Sequence, residues 1–286
     1  MSNFTSTADV SKFGNWGPVT ATLDWCEANY QFSHYIAEMA NTYSNLFSIG
    51  LALHGIRQAH KESLPSRYLL SFAGFAMIGF GSFAFHATLL FRAQLADELP
   101  MIYVATYTLY LLFETSPGFS MRRSPHGKAL LGATLLFDAL FTWSYMMYRN
   151  PVYHQVVFGA IMFALVGRSS YLLRSSSNPS RARTTATIEN LYLTGAAIFI
   201  LGFFVWNLDN IFCDTLTQWK TSIGWPPAFL LEGHSWWHLF TGIGTYLMLL
   251  ATTCKTLCVK DDYRNYTLGW TSVLPHVRRV RAVKVQ

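Results

Sequence analysis

Charge is scarce in this sequence. Only 13% of the 286 residues are Asp, Glu, Lys or Arg, whereas 51% are hydrophobic, and the mean hydropathy is +0.23. A soluble domain carries about a quarter charged residues, so an ordinary water-soluble fold is excluded and the bilayer is the better solvent. The net charge of +6 does not point to nucleic acid. Its basic residues lie in connecting segments and a terminal tail, where they set membrane topology and attract anionic membrane lipids. No separate cleavable leader is expected, because residues 1–12 are polar and the first apolar run starts too late; that run is expected to act as the targeting signal. Cysteine is rare too, with only Cys26, Cys213, Cys254 and Cys258.

What the sequence has in abundance is apolar length. Runs of about 20 residues, enough to cross a hydrocarbon core, recur near 36–56, 68–90, 99–113, 129–148, 152–173, 191–212 and 237–257. The third reaches full length only if Asp97 and Glu98 are drawn in. These runs predict an all-α integral membrane protein, a bundle of seven transmembrane helices. The connections after runs one, three and five, together with the C-terminal tail, hold 17 of the 21 Lys and Arg residues. Such residues stay on the cytoplasmic side, so the N-terminus is expected in the lumen and the C-terminus in the cytosol. The organisation that follows is a lumenal segment over 1–35, a seven-span catalytic domain over 36–258 and a basic cytosolic tail over 259–286.

Reactive side chains gather at one end of this arrangement. Ser82 and His86 stand four residues apart in the second run and so share a helix face. His234 and His238 repeat that spacing at the mouth of the seventh. Two imidazoles at i and i+4, plus a third from elsewhere, match a catalytic zinc held by three histidines with a fourth position open. In the predicted topology His86 leaves the second helix, Asp97 and Glu98 open the third, and His234 and His238 enter the seventh, all on the lumenal side. The distribution of Lys and Arg sets that topology independently of these residues. Zinc in such a site lowers the pKa of water toward about 7. Asp97 could then move a proton as general base and afterwards acid, and Ser82 could hydrogen-bond a developing oxyanion. The substrate implied is an apolar acyl compound that enters from the bilayer, amide and ester being equally open.

Asp24, Glu27, Asn29 and Glu38 place four oxygen-bearing side chains in a short span. Calcium takes such a shell, although the spacing is not that of an EF-hand and a solvated acidic cap is the plain alternative. Cys26 and Cys213 both fall on the lumenal side, where a disulfide can persist; a bridge and free buried thiols are both open. Asn41, Thr42, Ser44 and Asn45 form a polar stripe suited to helix–helix hydrogen bonds. Asp138, near mid-membrane, reads as a functional group or a structural hydrogen bond. Arg168 is placed to snorkel, Trp25, Trp206, Trp236 and Trp237 to form an interfacial belt, and 175–183 to form a flexible loop.

Taken together, Trp16-Gly17-Pro18, Asp24-Trp25-Cys26-Glu27-Ala28-Asn29-Tyr30, Glu38, Gly81-Ser82 with His86, Asp97-Glu98-Leu99-Pro100, Asn207-Leu208-Asp209-Asn210 and Gly233-His234-Ser235-Trp236-Trp237-His238 resemble the alkaline ceramidases. The resemblance runs from about Trp16 through the seventh run. It implies an integral membrane amidohydrolase of the endoplasmic reticulum or Golgi that cleaves ceramide, including dihydro- or phytoceramide, to a sphingoid base and a fatty acid, in some members reversibly. The family's zinc ligands map onto His86, His234 and His238, its serine onto Ser82 and its catalytic aspartate onto Asp97. Its calcium ligands map onto Asp24, the backbone carbonyl of Trp25, Glu27, Asn29 and Glu38, and its disulfide onto Cys26 and Cys213. Two other classes share parts of the pattern. Seven-helix receptors of the adiponectin and progestin group, with latent lipid amidase activity, have the serine, aspartate and three histidines but not the Asp24 to Glu27 stretch. A metal transporter would line its path with intramembrane groups such as Asp138.

Overall fold

The computed structural model describes residues 14–119, 124–174 and 182–280. Arg281 and Lys284 of the basic tail, and 175–181 of the serine-rich loop, lie outside them. The described elements are α1 (Met39–Lys61), α2 (Ser66–Thr88), α3 (Phe91–Phe113), α4 (Pro125–Tyr148), α5 (Pro151–Arg174), α6 (Ala182–Ile211), α7 (Cys213–Ile223), a 3-10 turn (Pro227–Leu231), α8 (Gly233–Lys260), β1 (Tyr266–Thr271) and β2 (Leu274–Arg279). Five of the helices are long and apolar enough to cross a membrane: α2, α4, α5, α6 and α8. Leu135, Leu136, Trp143 and Met147 on α4, Phe163 on α5 and Ile200 and Phe204 on α6 are exposed. Apolar surface on this scale marks contact with lipid rather than water, and the chain is an integral membrane protein.

Burial ranks the helices. The apolar stretch of α8 is 78% buried and that of α4 only 11%. The core therefore forms around α8, which packs on α1, α2 and α6 through residues such as Leu51, Phe72, Tyr192, Tyr246 and Leu250. A second cluster joins α3, α4 and α5 through Ile102, Leu112, Phe141, Tyr145 and Leu165.

Three expectations are corrected. The third helix begins at Phe91, not near residue 99, so Asp97 and Glu98 lie inside α3 instead of opening it. The chain turns at Leu89, whose φ of 51° is left-handed, and restarts a helix at once. The charge of Glu98 is accommodated there because Tyr145 donates to its carboxylate and Gln94 Nε2 does so at 3.0 Å. The connection between the sixth and seventh apolar runs is partly helix: α7 is short and polar on one side, and so escapes a search for apolar runs. The tail is not structureless, nor is the fold wholly α-helical. Strands β1 and β2 pair antiparallel with Leu268 opposite Val277, and Tyr266 and Val277 bury themselves against the end of the bundle.

Three ionisable groups between the helices have clear partners. Asp138 accepts from Thr106 Oγ1 at 2.9 Å, which ties α3 to α4 and matches its structural reading. Arg168 does not simply extend toward water: its Nε donates to Leu112 O at 3.2 Å and its guanidinium lies over the Phe113 ring. At the end that α3 reaches last, buried Glu114 takes Arg67 Nη1 at 2.9 Å and Lys260 Nζ, while Ser124, the N-cap of α4, donates to its other oxygen at 3.3 Å. One carboxylate thus fastens α2, α3, α4 and α8.

Burial alone would raise the Glu114 carboxyl, but Lys260 and Arg67 override it and hold the group below its ordinary value of 4.5. A depressed folded value means that the cluster stabilises fully above the unfolded value and loses that contribution as pH falls through the folded one. Glu114→Gln is expected to lower stability by about 3–5 kcal/mol at neutral pH, since two buried cations lose their partner. Thermal unfolding in detergent checks this, and the gap from the parent chain should narrow as pH falls through the depressed value of the Glu114 carboxyl.

Candidate active site

His86 lies on the last turn of α2, and His234 and His238 on the first two turns of α8. All three are buried, with one ligating nitrogen from each lying within 4.8 Å of the others. Each ring is steered by a different neighbour. His86 Nδ1 meets Glu38 Oε2 at 2.5 Å, which leaves Nε2 buried with no partner. His238 Nδ1 meets Ser44 Oγ at 2.8 Å and Asn45 Nδ2 at 3.3 Å, while its Nε2 faces Ser82 Oγ at 3.4 Å. His234 stacks on Trp25 at a centroid distance of 4.0 Å. Three imidazoles this close cannot all carry protons, and unpartnered buried ring nitrogen is what a soft-to-borderline metal ion satisfies. The donor set fits zinc.

Ser82 is one turn from His86 and faces the carboxylate of Asp97 on α3. A notch in the backbones permits that approach. Pro100 has no N–H, so the Ala96 carbonyl loses its donor at i+4. Gly81 packs against that carbonyl, and a Cβ on Gly81 would fall 1.8 Å from the oxygen. Glycine and proline together bring Ser82 and Asp97 side by side.

The N-terminal segment covers this centre. Cys26 is disulfide-bonded to Cys213 at the start of α7. Glu27 accepts from Ala40 N at 2.7 Å and Asn41 N at 2.8 Å, capping α1. Burial pushes the Glu27 carboxyl up to about 7, those two N–H groups opposing the rise. Asn29 Nδ2 donates to Asp24 Oδ1 at 3.2 Å. The trans-facing acceptors Asn29 Oδ1 and Glu38 Oε1 are buried with no donor, and oxygen atoms in that state fit a hard cation such as calcium. The Trp25 N–H faces Glu38. Beside them Lys220 of α7 reaches Cys26 O at 2.8 Å and Glu232 Oε2 at 3.0 Å. Burial pushes Glu232 up to about 7, against the pull of Lys220.

Several roles were not visible in the sequence. Glu38 carries His86 as well as standing among the acidic residues. Ser44 and Asn45 orient His238, so the polar stripe of α1 serves the site beyond joining helices. Of the tryptophans expected in a belt, Trp25 stacks on His234, Trp206 meets Trp25 edge-on, and Trp237 lies tilted against Trp206. The helical spacing of 41, 44, 45 and 48, all facing α8, is the one signal that could have been read; Ser48 Oγ donates to His238 O at 3.2 Å.

Comparison with known proteins identifies the family. The family model for ceramidases matches residues 17–278. This chain belongs to the ceramidase family. It is similar to mouse alkaline ceramidase 3, with 37% identity over 84% of this chain and 86% of the relative. It is similar also to alkaline ceramidase YPC1 of Saccharomyces cerevisiae, at 34% over 90% and 83%, and to the putative alkaline ceramidase dcd3A of Dictyostelium discoideum, at 31% over 96% and 98%. The ceramidase is therefore an enzyme, and the site described above lies wholly within the matched residues.

The backbone notch makes a local prediction. Gly81→Ala in this ceramidase should force α2 from α3, lowering stability by about 1–3 kcal/mol and activity at least tenfold. Gly50→Ala, at a position with open space around it, is the control that should leave both nearly unchanged.

Proposed function

We propose that this ceramidase hydrolyses the amide bond of ceramide, dihydroceramide or phytoceramide, using zinc held by His86, His234 and His238. The observation that carries the reading is the convergence of those three buried imidazoles on the Ser82–Asp97 pair. Zinc in a three-imidazole site supplies a water acidified toward neutral pH and polarises a carbonyl. Asp97 takes a proton from the attacking water and returns it to the amide nitrogen, so that the sphingoid base leaves as an amine and the acyl group as a fatty acid. Ser82 Oγ donates to the carbonyl oxygen as negative charge gathers there. Glu38 accepts the Nδ1 proton of His86 and Ser44 that of His238, which turns each Nε2 lone pair inward. Because each step can run in the opposite sense, the same groups serve amide synthesis when fatty acid and base are abundant.

Calcium fits the Asp24, Trp25, Glu27, Asn29 and Glu38 cluster through its unpartnered acceptors. Glu38 belongs to both groups, so cation binding there would also steady His86. For the membrane arrangement we read α1 to α6 and α8 as seven spans, with α7 at the surface, the site toward the lumen and the C-terminus in the cytosol, in the endoplasmic reticulum or Golgi. The basic residues support that orientation. Helix α6 leans on α8 and barely meets α5, which supports lateral entry of a bilayer substrate between α5 and α6. The receptor reading is not favoured by the family relatives, and the transporter reading loses its support at Asp138, which is held by Thr106.

Purified protein should contain one zinc per chain and release fatty acid from at least one of ceramide, dihydroceramide and phytoceramide. A His234→Ala, His238→Ala double variant should lose both zinc and turnover. Asp97→Asn should keep the zinc and lose on the order of 10²–10⁴ in rate. Full activity in the double variant would overturn the reading. For the topology, the Asn265-Tyr266-Thr267 sequon should stay unmodified in microsomes, and sugar on Asn265 would reverse the orientation.

A further inference from the structure

Helix α8 begins at Gly233, one residue before a proposed zinc ligand, and a helix start exposes N–H groups that need acceptors. Its own N-cap does not supply one. Glu232 makes no side-chain cap, because its carboxylate is turned to Lys220. The acceptor comes instead from another helix. Asp209, on the last turn of α6, takes Gly233 N at 3.0 Å through Oδ1, and the His234 N–H faces the same carboxylate. Asp209 is 1% exposed, and its Oδ2 is buried with no partner. The fit is tight from both sides: a Cβ added to Gly233 would lie 2.8 Å from Asp209 Oδ1 and 2.9 Å from its Cβ. A carboxylate is expensive to bury, and here it replaces the missing cap of the helix that presents two of the three imidazoles.

The geometry points to Asp209 as a positioning residue of the metal centre, acting as a cap in trans that fixes where His234 and His238 stand. Its direct partners are backbone N–H groups at the start of α8. Removing it frees the first turn to fray, and fraying moves His234 first because it is the second residue of the helix. His238, one turn further, is held also by Ser44 and Asn45 and moves less. The consequence falls on metal retention and on the rate step, because the N–H groups that Asp209 holds belong to Gly233 and to His234 itself.

The inference rests on the reading of His86, His234 and His238 as zinc ligands, and the test separates the two. Zinc affinity is measured on the full-length protein in detergent by competition with a chromophoric chelator, for the parent chain, His234→Ala, Asp209→Ala, Asp209→Asn and Gly233→Ala. Asp209→Ala should weaken zinc about 10–100-fold, the range for outer-shell partners, and at saturating zinc should lower kcat about tenfold with KM within twofold. Asp209→Asn keeps an oxygen acceptor for the same N–H groups and should recover most of the affinity. Gly233→Ala, which leaves every charge in place but displaces the carboxylate, should resemble Asp209→Ala and carries the test if that variant does not fold. Zinc affinity within twofold of the parent in both Asp209→Ala and Gly233→Ala would overturn the cap. So would Asp209→Asn behaving no better than Asp209→Ala, since charge and not capping would then be what matters. A parent chain that binds no more zinc than His234→Ala would sink the zinc reading itself.

Discussion

A polar side chain between transmembrane helices has no water to turn to, so each must be satisfied by another group of the chain or by something the chain binds. That constraint organises this molecule at both ends. At one end it is met within the protein: Glu114 is saturated by Arg67, Lys260 and Ser124. At the other it is met only in part, and the atoms left over include an imidazole nitrogen of His86, a carboxylate oxygen of Glu38 and an amide oxygen of Asn29. The two ends show the difference between a polar cluster that holds a bundle together and one that is shaped to receive something.

The scaffold reaches the second state by small backbone devices. Pro100 strips a hydrogen bond from Ala96, and Gly81 lets α2 close on the carbonyl so exposed; the pairing of Ser82 with Asp97 follows. A left-handed Leu89 turns the chain within two residues, so that α2 and α3 stay in register across the notch. The disulfide from Cys26 to Cys213 and the reach of Lys220 to Glu232 bind the N-terminal segment to α7 and to the start of α8. A segment with no helix of its own is thereby made part of the wall.

The residues of the centre were legible because their chemistry is rare in apolar sequence. His86, His234 and His238 stand out among long runs of Leu, Phe and Ala, and their spacing gives a helical face. What surrounds them was less legible. Ser44 looks like any polar residue in a membrane helix, and only the packing of α1 on α8 shows that it meets His238. Glu98 is adjacent to Asp97 in sequence but turned about a quarter circle away on the helix, toward Tyr145 and Gln94. Helix α7 and the terminal hairpin escaped because amphipathic and alternating patterns of a few residues are weak against long apolar runs. Periodicity reports which face of an element is buried, and not which neighbour buries it.

Charge balance ties the two proposed cation sites to the fold. Asp24, Glu27, Glu38, Asp209 and Glu232 interact electrostatically as a group, and Lys220 is the cation that couples to Glu27, Asp209 and Glu232. Lys220 alone opposes these carboxylates, and burial already pushes Glu27 and Glu232 up to about 7, so the cluster resists carrying its full negative charge. The unpartnered acceptors fall in two places, one at the imidazoles and one at Asn29 and Glu38, and Glu38 lies between them with one oxygen on His86 and the other free. On that arrangement the acidic segment and the proposed zinc site are not independent of each other. The helix start at Gly233, whose N–H is held by Asp209, is where the acidic segment meets two of the three proposed zinc ligands.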